Sequence, residues 1–317
     1  MNITVLEPLA VKKDLLRDIF KKLTDSGHEL EIYDTIAKDE DEQIERMKDT
    51  DILVIANSPI GAKAIKSAKN LKTIAVAFTG FDHVDMEACE ERNILVSNAS
   101  GYANTAVAEL AVGMALDLYR NIISMDEKTR ELKTKSGYRF RELRGKKVGI
   151  IGTGAIGCET AKLFHAFGCE ILAYSNSEKK EILDLGGKYL SLEDLLKQSD
   201  IVSLHLPYNK STERLIGENE FKLMKKDVIF INCARGQIVD NEALKDALNN
   251  SLIAGAGIDV FDIEPPLLEN DPLLSAKNTL LSPHIAYFTE ESMIKRAEIT
   301  LENIEAFLNN KPINVVS

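Results

Sequence analysis

The first third of the chain alternates short, β-branched apolar runs with amphipathic stretches. The apolar runs lie at residues 3–6, 30–33, 52–56, 74–78 and 94–96. Amphipathic patterns between them, such as the one over residues 11–22, are typical of helices. Strands that are apolar along their whole length and alternate with helices indicate a parallel sheet covered on both faces.

A second series of alternating strands and helices starts at Lys147. Its apolar runs lie at residues 148–151, 171–174, 201–206, 228–231, 256–260 and 280–281. A long apolar helix from about Tyr102 and a polar segment, 126–144, which we interpret as a solvated connector, separate the two series. A last helix is predicted over residues 290–308. The pattern therefore predicts an α/β protein with two doubly wound parallel sheets.

Composition and charge narrow the range of partners. The 317 residues include 39 Lys and Arg against 50 Asp and Glu, a formal charge of −11 without a marked basic cluster. Such a surface repels nucleic acid and anionic lipid, so we expect neither as a partner. The longest apolar runs fall short of the roughly 18 residues of a membrane span, and the first residues lack the pattern of a signal peptide.

The cysteines bear on metal binding and location. The chain has 4 cysteines without paired spacing and without a histidine at ligand spacing, so we predict no metal site and no disulfide framework. Free thiols indicate a reducing compartment, and we expect a cytoplasmic protein.

The strand at the start of the second series runs directly into the sequence GTGAIG and then into a helix. In a GxGxxG turn the glycines allow a tight turn, close approach of a pyrophosphate, and close packing of helix on strand. The amides at the helix N-terminus attract the phosphates. The residues predicted to bind a dinucleotide here are Gly152, Gly154, Ala155, Ile156 and Gly157.

The end of the next strand bears on the choice of cofactor. An Asp or Glu at this place would accept hydrogen bonds from the free 2′-hydroxyl of NAD(H). This chain has Ser175 followed by Asn176, with Lys179 and Lys180 close behind. Because a neutral to basic loop no longer repels a 2′-phosphate, we predict an NAD(P) enzyme that favours NADP(H) over NAD(H).

Three strand ends of the second series carry polar residues, namely Arg235, Glu264 and His284. In open α/β sheets the carboxyl ends of strands face the ligand crevice, so these residues are placed to reach one site. Reduction of a 2-oxo acid needs a two-pronged donor for its carboxylate and carbonyl, which Arg235 supplies, and a proton donor, which His284 supplies. Glu264 would hold the imidazole and favour its protonated form.

The ordered motifs GTGAIG, NCARG, DVFDIEPP and SPHIA resemble the D-isomer-specific 2-hydroxyacid dehydrogenase family, and glycerate and hydroxypyruvate reductases are the branch that looks most similar. The resemblance covers essentially the whole chain and implies that Arg235 binds substrate, Glu264 supports His284, and His284 is the acid/base. It implies transfer of a hydride between NAD(P)H and C2 of a small 2-oxo acid or D-2-hydroxy acid. Glyoxylate and hydroxypyruvate are the expected kinds of substrate.

The resemblance also implies further contacts. Asp259 is expected to face the nicotinamide carboxamide, with Arg235, His284 and the backbone near Cys233 and Ala234 beside the cofactor. Other expected cofactor contacts are Pro207 and Thr212 on the adenine side and Thr105 near the phosphate. Thr79 and Gly80, with Arg235 and His284, are the expected substrate contacts.

The family architecture is a Rossmann cofactor domain, residues 100–287, inserted into a flavodoxin-like catalytic domain, residues 1–99 plus 288–317. Relatives of this kind are usually homodimers, with the long helix after Ser100 at the interface. An alternative function is an NAD(P)-sensing binding module that resembles the transcriptional corepressors of this fold. Such a module could keep all three polar residues, so the sequence leaves both interpretations open.

Overall fold

The computed structural model describes residues 1–316. The described strands are β1 (Asn2–Val5), β2 (Glu29–Ile32), β3 (Ile52–Ile55), β4 (Thr73–Val76), β5 (Leu95–Asn98), β6 (Lys147–Ile151), β7 (Glu170–Tyr174), β8 (Lys188–Tyr189), β9 (Ile201–Leu204), β10 (Ile229–Asn232), β11 (Gly255–Ile258) and β12 (Thr279–Leu281). They form two sheets in which every paired strand runs parallel to its neighbours.

Helices connect the strands. They are α1 (Lys13–Ile19), α2 (Lys21–Asp25), α3 (Glu40–Met47), α4 (Ala62–Ser67), α5 (Met86–Glu91), α6 (Asn104–Arg120), α7 (Ile122–Arg130), α8 (Ala155–Ala166), α9 (Lys180–Asp184), α10 (Leu192–Gln198), α11 (Glu218–Leu223), α12 (Asn241–Asn249) and α13 (Glu290–Leu308), with 3₁₀ turns at Gly236–Ile238 and Pro272–Ser275. Side-chain N-caps that the sequence supplies, such as Asp39, Ser191 and Thr289, fix where several of these helices begin.

The chain divides into two compact units. Unit 1 comprises Met1–Ala103 and the segment from Phe288 onward, and unit 2 comprises Asn104–Tyr287. The first division falls after Ala103, four residues beyond the predicted boundary at residue 99. The assignment of substrate and cofactor roles to these units stays a prediction.

Unit 1 contains a five-stranded sheet in the order β2-β1-β3-β4-β5. This is the order of flavodoxin-like sheets, and β3 and β4 are buried at every position because helices cover both faces. The last helix, α13, belongs to the same core: Ile304 packs in one apolar cluster with Ile3 and Phe20. The beginning and the end of the chain therefore build one unit together.

Unit 2 contains a seven-stranded sheet in the order β12-β11-β10-β9-β6-β7-β8. Read from β8, this is the 3-2-1-4-5-6 order of a Rossmann sheet with one more strand at the far edge. Gly257 lets α6 lie directly on β11, because a Cβ there would be 2.9 Å from the Cβ of Met114. The predicted fold class, two parallel-sheet α/β domains with a Rossmann sheet, is confirmed.

The segment after α6 differs from the sequence-based interpretation. Residues 126–144 are polar and were expected to form a solvated connector, but α7 extends over Ile122–Arg130. Asn121 adopts a left-handed conformation, φ 52°, which ends α6, and its carbonyl accepts the amide of Met125 to start the next helix. The signal is weak in the sequence because Asn121, the residue before α7, makes no side-chain cap, and the amide of Ile123 donates instead to Oδ1 of Asp117 in α6 at 2.9 Å.

Residues 1–316 show neither a membrane-spanning helix nor a cluster of metal ligands. No helix in this part of the chain is long and apolar enough to cross a bilayer. The same residues hold no group of three or more His, Cys, Asp or Glu side chains arranged to bind a metal ion. The cytoplasmic location stays a prediction.

Candidate active site

The glycine-rich turn after β6 has a backbone that only glycine fits. Gly152 has φ +95°, and a Cβ there would be 2.5 Å from the carbonyl oxygen of His205. A Cβ on Gly157 would overlap the carbonyl oxygen of Gly152. These two glycines therefore let the first turn of α8 lie directly against the ends of β6 and β9.

The middle glycine faces open space instead. A Cβ added to Gly154 would meet no atom within 4 Å, and this residue is the N-cap of α8 without a side chain to bond the first amides. A helix N-terminus with open amides and room beside its backbone fits a pyrophosphate. The residues present at this turn, including Ala155 and Ile156 in the first turn of α8, thus fit a dinucleotide cofactor.

The other predicted cofactor residues of unit 2 lie after β7, after β9 and at the start of α6. Ser175 is partly exposed directly after β7, and Asn176 is exposed. Thr212 closes the loop after β9: its hydroxyl donates to the carbonyl oxygen of Pro207 at 2.8 Å and accepts from the amide of Asn209 at 2.9 Å. Thr105 is exposed in the first turn of α6.

Arg235 stands on a turn that the preceding asparagine builds. The Asn232 side chain accepts from the amide of Ala234 at 3.0 Å and donates to the carbonyl oxygen of Arg235 at 3.0 Å. The Arg235 side chain is exposed, and its Nη1 donates to the carbonyl oxygen of Ala234 at 2.7 Å. Sequence reasoning missed Asn232, although its place at the end of β10, before Arg and Gly, was a usable signal.

Cys233, in the same turn, is buried and inert. Its Sγ lies 3.9 Å from the Sδ of Met114, and burial raises the pKa of the thiol far above its ordinary value. A thiol that stays protonated is a poor nucleophile, so the side chain has a packing role. Any contribution of Cys233 or Ala234 to cofactor binding falls to their backbone, as expected.

Glu264 and His284 lie in contact, and their catalytic roles stay a prediction. The Nδ1 of His284 lies 2.7 Å from Oε1 of Glu264, and Oε2 accepts the amide of Phe261 at 3.2 Å. Gly236 allows the loop of Phe261 to lie against the turn of Arg235, because a Cβ on Gly236 would overlap the Phe261 backbone. The segments that carry Arg235, Glu264 and His284 therefore meet at one edge of the sheet in unit 2.

Asp259 shapes the turn on which His284 stands. Its fully buried carboxylate accepts the Ser282 hydroxyl at 2.5 Å and the amides of Ile285 and Ala286 at 2.9 and 2.8 Å. Burial raises the pKa of this carboxyl, against the opposing effect of the three donors. Its main-chain carbonyl also accepts the amide of His284 at 2.8 Å. Ser282 and these backbone contacts could not be read from the sequence, and the predicted contact of Asp259 with the nicotinamide stays a prediction.

A second histidine of unit 2, His205, is excluded as the acid/base. It is half-buried after β9, and desolvation lowers its pKa to about 3. Its Nε2 lies 2.9 Å from the Ser203 hydroxyl. An imidazole that stays neutral at physiological pH cannot donate a proton in the way that reduction requires.

Thr79 and Gly80 lie in unit 1, after β4. The carbonyl oxygen of Thr79 accepts the Nδ2 of Asn98 at 2.7 Å, and within residues 1–316 no backbone acceptor is assigned to the amides of Thr79 and Gly80. Open amides at a strand end suit an anion. Because these two residues and Arg235 belong to different units, their common part in substrate binding stays a prediction.

The neighbouring loop of unit 1, after β3, is filled by a carboxylate of the chain itself. Oε1 of the buried Glu7 accepts the amides of Ala56, Asn57 and Ser58 at 2.7, 3.0 and 2.9 Å, and Oε2 accepts the Ser58 hydroxyl at 2.6 Å. This loop is therefore shaped from within and has no amides left for a ligand carboxylate. Sequence reasoning missed Glu7, because a single Glu after a strand carries no distinctive signal.

Comparisons with known proteins agree with this chemistry. Residues 112–286 match the NAD binding domain of D-isomer specific 2-hydroxyacid dehydrogenase. The chain is 41% identical over 268 residues to a glyoxylate reductase of Aeropyrum pernix, which covers 81% of this chain and 80% of that protein. It is 33% identical over 294 residues to a hydroxypyruvate reductase of Blautia hydrogenotrophica, with 90% and 91% covered.

A solved structure extends the likeness to the whole fold. An acyclic imino acid reductase in complex with NADPH and D-Arg has a TM-score of 0.86 to this chain at 29% identity, over 100% of both chains. Because these three similar proteins are reductases, the alternative of a cofactor-sensing corepressor is not favoured.

Proposed function

Because the chain belongs to the D-isomer-specific 2-hydroxyacid dehydrogenase family, we propose that this oxidoreductase reduces glyoxylate and hydroxypyruvate with NADPH. That it uses NAD(P)H to reduce small 2-oxo acids, and acts on the CH–OH group in reverse, follows from the family. The observation that carries the proposal is the 2.7 Å pair of Glu264 and His284 beside the turn of Arg235.

The roles of the three residues follow from their chemistry. The guanidinium of Arg235 binds the substrate carboxylate and carbonyl oxygen in a two-pronged contact. When bound, the nicotinamide cofactor supplies the hydride that C2 receives. Nε2 of His284 donates a proton to the carbonyl oxygen, which becomes the hydroxyl of the D-2-hydroxy acid, while Glu264 holds Nδ1 and stabilises the positive imidazolium before transfer.

The proposed preference for NADPH rests on the loop after β7. Ser175 stands where a carboxylate would bind a free 2′-hydroxyl. Lys180 is paired with Asp184 at 2.6 Å, but within residues 1–316 Lys179 forms no ion pair. Lys179 is exposed and is therefore the cation that we propose for the 2′-phosphate.

Unit 1 is proposed as the substrate domain and unit 2 as the cofactor domain. Thr79 and Gly80 bring open amides for the substrate carboxylate, whereas the glycine turn at the start of α8 brings those for the pyrophosphate. The division of unit 1 into two chain segments agrees with an inserted cofactor domain.

We also propose a homodimer. Large apolar side chains are exposed on α7 and the segment after it, and such a patch marks an interface in a soluble protein. The exposed residues are Ile122, Ile123, Leu132, Tyr138 and Phe140. They lie just after α6, the helix that the family resemblance places at the interface.

A panel of substrates and cofactors tests the function. We expect the highest kcat/KM with glyoxylate or hydroxypyruvate, lower values with pyruvate and bulkier 2-oxo acids, and a higher kcat/KM with NADPH than with NADH. The change Ser175→Asp should move the preference towards NADH, with Ser275→Ala as an exposed serine control in unit 2. No turnover with any 2-oxo acid would overturn the function, and a clear NADH preference would overturn the cofactor choice alone.

A further inference from the structure

The loop that follows β7 is tied to the glycine-rich turn through two hydroxyl groups. The Oη of Tyr189 accepts the amide of Lys179 at 2.8 Å and lies 3.0 Å from Oγ1 of Thr153, to which it donates. Oγ1 of Thr153 in turn donates to the carbonyl oxygen of Ser177 at 3.5 Å. We call this chain of bonds, from the Lys179 amide through Tyr189 and Thr153 to Ser177, the hydroxyl relay.

The hydrogen bonds of the hydroxyl relay run from the Lys179 amide through Tyr189 and Thr153 to Ser177. The Lys179 amide donates, the Ser177 carbonyl oxygen accepts, and each hydroxyl between them accepts one bond and donates one. Removing either hydroxyl therefore interrupts the relay. The change Tyr189→Phe leaves the Lys179 amide without its partner and Thr153 without its donor.

The hydroxyl relay connects the two places where a dinucleotide carries phosphate. Thr153 is the second residue of the Gly152–Gly157 turn, which fits the pyrophosphate, and is almost fully buried. Lys179 and Ser177 belong to the loop after β7, where the adenosine ribose and its 2′ substituent are bound in Rossmann sheets. The relay thus holds the loop at a fixed position relative to the pyrophosphate turn.

Tyr189 is well placed to fix this distance. It lies on β8, whose backbone pairs with β7, with Tyr189 opposite Ala173. The loop 175–179 leaves β7 one residue after Tyr174, so the ring that bonds the loop is anchored to the strand from which the loop departs. Most residues of the loop are exposed. Lys179 is also the N-cap of α9, where its carbonyl oxygen accepts the amides of Ile182 at 3.1 Å and Leu183 at 3.3 Å, so the bond from its own amide to Tyr189 fixes the side of the residue that faces the loop.

From this geometry we propose that Tyr189 is a specificity-determining positioning residue, which sets the loop 175–179 for a 2′-phosphate by way of the hydroxyl relay. Because the Lys179 amide is bonded to Tyr189, the backbone of Lys179 is held in one position, and its cationic side chain starts from that position. The proposal deepens the proposed preference for NADPH and rests on it.

Binding of cofactor fragments tests the proposal without any turnover. Adenosine 2′,5′-bisphosphate carries the 2′-phosphate and 5′-AMP does not, while both place a 5′-phosphate at the glycine turn. By isothermal titration calorimetry, Tyr189→Phe should weaken the bisphosphate about tenfold, the effect of losing one hydrogen bond in an ordered site. Binding of 5′-AMP should weaken less than about twofold.

Two further variants make the result specific. Thr153→Val interrupts the same relay from the other side and should reproduce the selective loss, because its hydroxyl is the next member of the chain. Tyr33→Phe removes a tyrosine hydroxyl from unit 1 and should leave both affinities unchanged. Melting curves and far-ultraviolet circular dichroism verify that each variant is folded. If Tyr189→Phe proves less stable, hydrogen exchange of the segment around Lys179 should still be faster in this variant than in Tyr33→Phe.

The outcomes separate this proposal from the proposed function. Equal weakening of both fragments in Tyr189→Phe, or no weakening of the bisphosphate, overturns the role of Tyr189. If the wild-type protein binds 5′-AMP as tightly as the bisphosphate, the preference for NADPH and the role of Tyr189 both fail. In each of these cases reduction of glyoxylate, measured separately with both cofactors, still decides whether the function holds.

Discussion

Two carboxylates contact His284 or its turn, and they differ in burial and in hydrogen-bond partners. Asp259 is fully buried, and three donors surround its oxygens. Glu264 remains partly exposed and uses one oxygen for the imidazole and the other for the Phe261 amide. A buried carboxylate whose oxygens already accept hydrogen bonds from neighbouring donors fixes the backbone around it. A carboxylate that contacts an imidazole can stabilise a positive charge on that ring. The same residue chemistry thus serves two roles, and burial decides which.

Removing the imidazole of His284 should have the largest effect on kcat. We expect His284→Ala to lower kcat for glyoxylate about 10² to 10⁴-fold, because the proton donor is lost. Cofactor affinity, measured by nucleotide fluorescence titration, should change little. His165→Ala, an exposed histidine on α8, serves as the control, and near wild-type turnover in His284→Ala would show that the assignment is wrong.

The next largest effect is expected for the exposed carboxylate. Glu264→Gln keeps the shape but loses the charge that stabilises the imidazolium, so kcat should fall about tenfold to a hundredfold at neutral pH. Steady-state kinetics measure the change, with Glu269→Gln as the control on the same loop. Hydrogen-exchange rates of the Ile285 and Ala286 amides should stay as in the wild type. Faster exchange would show that the variant loosens the turn and would contradict the proposed role of Glu264.

The buried carboxylate should show the opposite pattern. In Asp259→Asn an NH2 group replaces one of the two acceptor oxygens. This NH2 group then faces an N–H or O–H that also donates, and the unsatisfied pair lowers the stability of the turn by about 1 to 3 kcal/mol. Hydrogen exchange of the peptide that contains Ile285 and Ala286 should therefore become faster. Asp246→Asn is an exposed control on α12, and unchanged exchange in Asp259→Asn would contradict the turn-shaping role.

Ser282 should give the smallest effect. Ser282→Ala removes one of the three donors to Asp259 and leaves the two amides in place, so we expect a loss of about 0.5 to 1.5 kcal/mol in the free energy of unfolding. Urea unfolding followed by fluorescence of a bound nucleotide measures it. Ser275→Ala is the matched control, and a loss as large as in Asp259→Asn would mean that Ser282 has a further role.

The two carboxylates also show what a sequence can predict. Glu264 was predicted because proton transfer to a 2-oxo acid requires a particular set of groups at neighbouring strand ends, and topology brings such ends together. The fold was predicted for the same reason, since the period of apolar runs fixes a parallel sheet. Each of these inferences depends on local pattern and general topology.

The contacts of Asp259, Asn232, Glu7 and Tyr189 could not be predicted in this way. Each side chain bonds backbone or hydroxyl groups whose positions depend on how distant segments pack, as when Glu7 reaches the amides after β3. The helix α7 was missed because its start depends on the left-handed Asn121 and on the carboxylate of Asp117 in the preceding helix, not on a cap by the residue before α7. These contacts depend on how segments distant in sequence pack together, and a local sequence pattern does not predict that packing.

The central claim, that Glu264 acts on the proton and Asp259 on the turn, is tested most directly by measuring two quantities in both Glu264→Gln and Asp259→Asn. These are kcat for glyoxylate reduction and the hydrogen exchange of the peptide that contains Ile285 and Ala286. Glu264→Gln should lower kcat about tenfold to a hundredfold with exchange unchanged, whereas Asp259→Asn should make exchange faster. An unchanged kcat in Glu264→Gln, or faster exchange in that variant, would contradict the account.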